Sequence, residues 1–215
     1  MGRNLEKDAV EMAAKNQRIL EKGFEIFAKT GIEKVAMKDV AKAAGIGIAS
    51  LYRYYSTKQE LVLAIGIWAW QQYVAEELGN LSEVTEQTKT GAERVEYFLD
   101  AFLDLYQNHQ DLLRFNQFFN VYLKSEPIPR EKLRPYNVFI GKLEERFALS
   151  CRAGQEDGTL RKDYSPEEIF STMIHLMLAG VTRYAVGLVY SNRATDAEKE
   201  LEALKNMLMA RFCIL

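Results

Sequence analysis

Between Gly47 and Lys58 the chain reads Gly-Ile-Ala-Ser-Leu-Tyr-Arg-Tyr-Tyr-Ser-Thr-Lys, placing three tyrosine hydroxyls, one guanidinium and one ammonium within a dozen residues. Such groups donate hydrogen bonds to anionic oxygens and to the acceptor edges of bases without heavy net charge. Catalytic alternatives are thin by comparison. The two histidines, His109 and His175, and the two cysteines, Cys151 and Cys213, have no partner at metal-ligand spacing, which argues against a zinc site. The chain has no nucleophile elbow, phosphate loop or paired-histidine motif, and Gly45-Ile46-Gly47 is too short to cradle a phosphate. The reading is a protein that is not an enzyme and requires no cofactor.

Those donors form a recognition surface only if a rigid element projects them, and residues 37–56 have the pattern of one. Two short helices joined at a steep angle need a small residue at their contact, a glycine in the turn and an apolar anchor in the second helix. Ala41, Gly45 and Leu51 meet these demands, while Val40, Ala44 and Ile46 supply the buried face. The second helix, about Ile48 to Tyr54, is short enough to enter a DNA major groove with its N-terminal residues nearest the bases. Gly47, Ile48, Ser50, Arg53 and Tyr54 then face outward and Leu51 inward. Lys58 follows the Thr57 cap, where free backbone N–H groups attract a phosphate. The residues alone leave a second reading open, a helical hairpin with exposed tyrosines and no DNA.

The remaining sequence reads as helix. At 215 residues the chain is long enough for a sizeable core, and 48% hydrophobic with 27% charged residues is the balance of a globular protein. Net charge is −2, which gives no sign of nucleic-acid binding, but residues 1–60 hold 11 basic against 8 acidic side chains and the remainder 17 against 22. No segment alternates apolar and polar residues as a strand would. Ile19, Leu20, Phe24 and Phe27 recur at helical spacing before a Gly31 stop, predicting a first helix over 15–29. Capping boxes at Thr57/Glu60, Ser165/Glu168 and Thr195/Glu198 predict three helix starts. The helix from Thr57 breaks near Gly79–Asn80, and others are read at about 91–109, 110–124, 132–153, 165–190 and 195–213. Pro127, Pro129 and Pro135 mark 127–135 as a linker. Met1 to Arg18 is polar with no apolar core, which predicts no signal peptide and a cytoplasmic location. The apolar stretch 169–190 carries His175 and Arg183 within it, so it is read as a buried or interface helix and no membrane span is expected.

From Gly31 to Leu61, and above all in Leu51-Tyr52-Arg53-Tyr54-Tyr55 followed by Thr57-Lys58 and Leu61, the chain resembles the TetR-like family of bacterial transcriptional regulators. With the first helix, the resemblance covers about residues 12–65. It implies an all-α fold: an N-terminal three-helix DNA-binding domain over 1–62, a linking helix at about 57–79, and a ligand-binding and dimerisation domain over 63–215. It also implies a homodimer that reads an inverted-repeat operator in double-stranded DNA, usually as a repressor released by a small molecule. By position, Tyr52 and Lys58 are implied phosphate contacts. Ile48, Ala49, Ser50, Arg53 and Tyr54 line the groove-facing edge, Lys38 lies near DNA, and Gly47 and Thr57 belong to the same set. Two departures stand out. Ala36-Met37 replaces the usual Ser or Thr at the start of the first motif helix, and Gly47 replaces a polar cap. They support the competing reading, a helical small-molecule-binding protein whose motif no longer binds DNA.

Eight of the chain's 24 aromatics fall between Tyr97 and Tyr122. A cavity among these helices is expected to hold an apolar or aromatic effector, with Phe102, Tyr106, Phe115, Phe119, Tyr122, Phe139 and His175 as candidate walls and Asn116, Gln117 and His175 as polar points. The apolar stripes of the last two helices are expected to form the dimer interface through Met177, Val181, Leu188, Leu204 and Leu208.

Overall fold

In a computed structural model the described residues are 5–78, 88–188 and 196–214, and their elements are helices joined by short turns. Chain order gives α1 (Leu5–Thr30), α2 (Met37–Ala43), α3 (Ile48–Tyr54) and α4 (Lys58–Tyr73), the last running into a π turn at Val74–Leu78. Then follow α5 (Gly91–Asn108), α6 (Gln110–Ser125), α7 (Arg130–Asp157), α8 (Pro166–Ala185) and α9 (Ala197–Phe212). The only β pairing among the described residues is one bridge between Leu160 and Cys213. No helix among them is long and apolar enough to cross a membrane.

Contacts divide the chain into two compact units. The first holds Met1–Gln72 with Arg114–Tyr136, and the second Tyr73–Leu113 with Asn137–Leu215. These units do not coincide with a division after residue 62, because Phe115 and Phe119 of α6 pack with the N-terminal helices. Phe115 lies 5.3 Å from Phe24 of α1 and is stacked on Phe119 at 5.6 Å. Ile19, Phe27, Ile32, Leu51, Leu61 and Ile65 complete that core, each at most 1% exposed.

The second unit is built on α5, α8 and α9, which pack on one another. Its core joins Val95, Phe98 and Leu99 to Phe147, Cys151, Ile169, Met173, Met177, Leu208 and Phe212. Burial pushes the Cys151 thiol up to about 12 and the Cys213 thiol to about 11, so both remain protonated at neutral pH. Lys205, also buried, reaches Asp100 at 2.7 Å and Glu96 and Glu202 at 3.3 Å. Burial opposes its charge, but these carboxylates outweigh burial and raise its pKa.

Several local expectations are revised. The first helix begins at Leu5 and not near 15. Pro135 lies inside α7, which starts at Arg130, so the linker shortens to the residues before it. Ser165 and Glu168 form the expected reciprocal box. Glu60, by contrast, returns its carboxylate to the Ser56 N–H (2.9 Å) and hydroxyl (2.6 Å), leaving Thr57 with only the Glu60 N–H. Ser56 stands one residue earlier, where its N–H and its hydroxyl both reach the same carboxylate oxygen. Helix α9 is capped by Asp196; Thr195 lies outside the described residues, as do the Gly79–Asn80 break and the end of the 169–190 stretch. A further box, Thr90 with Glu93, opens α5.

The expected dimer stripe also needs correction. Met177, Val181 and Leu208 are at most 5% exposed and Leu204 packs against the same core, so these residues close the protomer's own interior. Of the five, Leu188 alone is well exposed. The outward face of α8 and α9 carries Leu176 (47% exposed) and Met207 (64%) instead.

Helix α5 enters against α7 at its first residue. A Cβ on Gly91 would lie 2.0 Å from the backbone nitrogen of Gly154, whereas one on Gly141 would meet nothing within 4 Å. Gly91→Ala is therefore expected to cost at least about 3 kcal/mol in urea unfolding, since backbone cannot yield as a side chain can. Gly141→Ala, in mid-helix, should add about 0.5–1 kcal/mol.

Candidate nucleic-acid interface

The helix-turn-helix forms from local signals. The α2 chain ends at Ala44, Gly45 takes a φ of +65°, where a side chain would be strained, and the Ile46 N–H returns to the Ala41 carbonyl at 3.0 Å. Leu51 is fully buried, with Val40 and Ala41 beneath it. The Tyr55 hydroxyl donates to Asn16 Oδ1 at 2.7 Å, tying the end of α3 to α1, and burial raises its pKa.

Neither cap of the motif carries a side-chain oxygen. Ala36 precedes α2 and receives only the return half of a box, its own N–H donating to Asp39 Oδ2 at 2.9 Å. Gly47 caps α3 with no side-chain hydrogen bond, and its carbonyl accepts from the Ser50 and Leu51 N–H groups at 2.9 and 3.1 Å.

Lys38, Tyr52 and Lys58 line one groove of about 450 Å³, together with Ala36, Met37 and Ile48. Tyr52 and Ile48 are 50% and 41% exposed. Ala49 and Arg53 lie on the same outward side of α3, with Gly47 at its start and Ser50 half-buried. The Arg53 guanidinium donates to Ser50 Oγ at 3.1 Å, an intrahelical contact that holds it along the helix surface. Lys58 is half-buried at the groove floor, where its ammonium donates to the Glu33 carbonyl (3.4 Å) and stands 5.7 Å from the Tyr122 ring. Burial lowers its pKa, with Glu126 and Glu33 opposing. An ammonium so placed gains more from an incoming phosphate than one already in open water.

Tyr54 does not belong to this surface. Its hydroxyl donates to the Met12 carbonyl of α1 at 3.4 Å, so the residue leans onto α1 and away from the groove edge. Thr57 serves as the α4 cap. The sequence reading missed Asn16, Glu33 and Tyr122 as supports of the motif. None carries a local signal, since each acts from a distant segment.

The candidate effector residues separate between the units. Phe115, Phe119 and Tyr122 are buried in the first, whereas Phe102, Tyr106, Phe139 and His175 belong to the second. Tyr106 stands edge-on to Tyr184 at 6.1 Å, and Phe102 packs at the rim of the second core. His175 is exposed and 3.3 Å from Ser171 Oγ, because Met173 and Met177 take the inward positions of α8. It therefore lines no interior cavity.

A short steep helix pair presenting an outward recognition helix, followed by long helices, defines the helix-turn-helix class with an all-α second part. The profile described as "Bacterial regulatory proteins, tetR family" matches residues 19–65, so the N-terminal segment is similar to the DNA-binding part of that family. It is 39% identical over 57 residues to the HTH-type transcriptional regulator SAB2452 of Staphylococcus aureus, a match covering 26% of this chain and 29% of that relative. The chain thus aligns with under a third of that relative's length. Among solved structures, a transcriptional regulator of Saccharomonospora viridis in complex with choline has a TM-score of 0.71 at 20% identity, covering 94% of this chain and all of the other. The regulator FadR of Bacillus subtilis in complex with stearoyl-CoA has a TM-score of 0.71 at 14% identity, covering 90% and 97%. At these identities the likeness establishes the fold.

Two stability predictions arise from the motif. Ala36→Thr should supply the missing α2 cap and add about 1 kcal/mol, raising the melting temperature by about 2–4 °C. Glu60, bonded first to Ser56 and then to Lys132 at 2.9 Å, is held down at about 2 from an ordinary 4.5. A depressed carboxyl contributes stability above its unfolded value and loses it as pH falls through the folded one. Wild type should therefore lose stability relative to Glu60→Gln between pH 4.5 and about 2; urea midpoints that stay parallel over that range would contradict the assignment.

Proposed function

We propose that this chain is a homodimeric, effector-responsive transcriptional regulator that represses from an inverted-repeat operator in the cytoplasm and has no catalytic activity. The observation that carries the reading is the groove itself. Lys38, Tyr52 and Lys58 come from three different helices and share one concave surface beside the exposed edge of α3. A phosphate backbone needs that combination of donors, and Ile48 and Ala49 add methyl contacts for thymine while Arg53 and Ser50 supply hydrogen bonds to base edges. That relatives matching this segment are named transcriptional regulators supports the reading. Neighbours of the same fold solved with choline or stearoyl-CoA support a small-molecule effector.

Dimerisation by the outward face of α8 and α9, through the exposed Leu176 and Met207, would bring two copies of the recognition helix to one duplex, whose successive major grooves lie about 34–36 Å apart. An effector releases DNA only if it binds the incompetent arrangement better. The lever is at the start of α4. Tyr122 sits under Lys58, Gln59 donates to Glu126 at 3.2 Å, and Lys132 pairs with Glu60 at 2.9 Å, so displacement of α6 and the segment after it moves the phosphate contact.

Selection from random duplexes should enrich an inverted repeat. Lys58→Ala should weaken binding to all sequences and reduce the salt slope by about 0.9 per half-site, while Arg53→Ala should relax discrimination at one position per half-site. Recovery of no repeat would favour the reading of a small-molecule-binding protein with a silent motif.

A further inference from the structure

The turn between α1 and α2 contributes two charged side chains to the groove that no motif of the sequence marks. Ile32 and Val35 are buried, 1% and 3% exposed, and the Val35 N–H donates to the Ile32 carbonyl at 3.3 Å. That bond closes a four-residue turn. With both ends held in the core, its two central residues, Glu33 and Lys34, are carried outward and exposed. Both line the same groove as Lys38, Tyr52 and Lys58. Lys34 has no hydrogen bond or ion pair among the described residues, so its ammonium gives up no protein partner to meet an incoming anion. Glu33 acts in two opposite ways. Its backbone carbonyl accepts from the Lys58 ammonium at 3.4 Å, which fastens the turn to the start of α4. Its carboxylate acts on the same ammonium through space and favours the charged form. A carboxylate in a groove that receives phosphates also repels them, by an amount that falls with distance and with salt.

We propose that this turn is part of the DNA interface, with Lys34 as a backbone-phosphate donor and Glu33 as an electrostatic brake that weakens binding to every duplex alike. This rests on the reading of the chain as a DNA-binding regulator and extends its interface beyond the helix-turn-helix. A lysine on a turn is a point charge on a flexible stem, which meets a phosphate without selecting a base edge. Its contribution is therefore the same on operator and non-operator DNA. The brake acts on that same sequence-independent part of the affinity. Together the two side chains set how tightly DNA is held at a given salt concentration, and the outward face of α3 sets which sequence is chosen.

The test compares the full-length wild type with Lys34→Ala, Lys34→Arg and Glu33→Gln. Each is titrated with an inverted-repeat duplex recovered by selection and with a random-sequence duplex, between about 50 and 200 mM salt. Lys34→Ala should lower the slope of log affinity against log salt by about 0.9 per half-site on both duplexes, and Lys34→Arg should keep it. Glu33→Gln retains the carbonyl that holds Lys58 and removes only the charge. It should tighten both duplexes by about threefold per half-site at low salt, with the gain shrinking at high salt as the carboxylate is screened. All three variants change exposed positions and should melt within about 2 °C of wild type, so a lost fold does not account for these shifts. An unchanged slope for Lys34→Ala, unchanged or weaker binding by Glu33→Gln, or effects confined to the inverted repeat would each overturn the proposal. Wild-type binding with unmoved variants refutes this interface alone, whereas a wild type that binds neither duplex refutes the regulator reading and the interface with it. If selection recovers no repeat yet the random duplex binds, the operator reading fails and the slopes still decide for or against the turn.

Discussion

The first unit depends on a ring that takes the place of a side chain. A Cβ on Gly66 would lie 2.7 Å from the Phe119 ring, so α6 can lie where it does only because α4 has a glycine there. Phe119 stacks on Phe115 and Phe115 rests against Phe24, giving a column of rings that fixes α6 against both α4 and α1. The next inward position of α6, one turn along, is Tyr122, and its ring meets the Lys58 ammonium. The register set at Gly66 therefore decides where a cation at the edge of the recognition surface stands. Loss of that register would leave the helix-turn-helix intact and shift one of its three groove donors.

Charge alone would not have identified this surface. The chain is net negative, and its first 60 residues exceed neutrality by only three. The groove instead combines three lysines and one glutamate, Lys34, Lys38, Lys58 and Glu33, with a tyrosine hydroxyl and an exposed isoleucine. Such a surface relies on hydrogen-bond geometry and methyl contacts more than on counterion release. Two copies on one duplex would double a modest electrostatic gain, which fits a protein whose remaining surface is acidic.

The sequence made legible what is decided within a few residues. Gly45, Leu51 and Ser165 with Glu168 each act on neighbours in the chain, and the turn, the anchor and the box are where their types demand. Choices between near-equivalent partners were not legible. Glu60 selects Ser56 over Thr57, and Asp196 caps α9, on differences of one residue in reach. The stripe of Met177, Val181 and Leu208 has a periodicity that serves a protomer's core or a partner's equally well, and only the packing of α5 on α8 assigns it to the core. For the same reason the tyrosines divided unexpectedly: Tyr52 faces outward while Tyr54 and Tyr55 bond to α1.

The contact that makes the first unit rigid also makes it responsive. A close-packed interior transmits a displacement because it has no free volume in which to absorb one. Phe119 against Gly66 leaves no gap, so a shift of α6 along or away from α4 must appear at both ends of the contact. At one end is the Trp68 indole N–H, buried without a partner. At the other are Lys58, Gln59 and Glu60, tied to Tyr122, Glu126 and Lys132 by contacts worth little individually at a partly exposed surface. A tight joint between an unsatisfied interior and a weakly held surface favours movement at the surface. The sequence places the weak ties at Lys58, the proposed phosphate contact, where on that reading a small rearrangement would alter DNA affinity most.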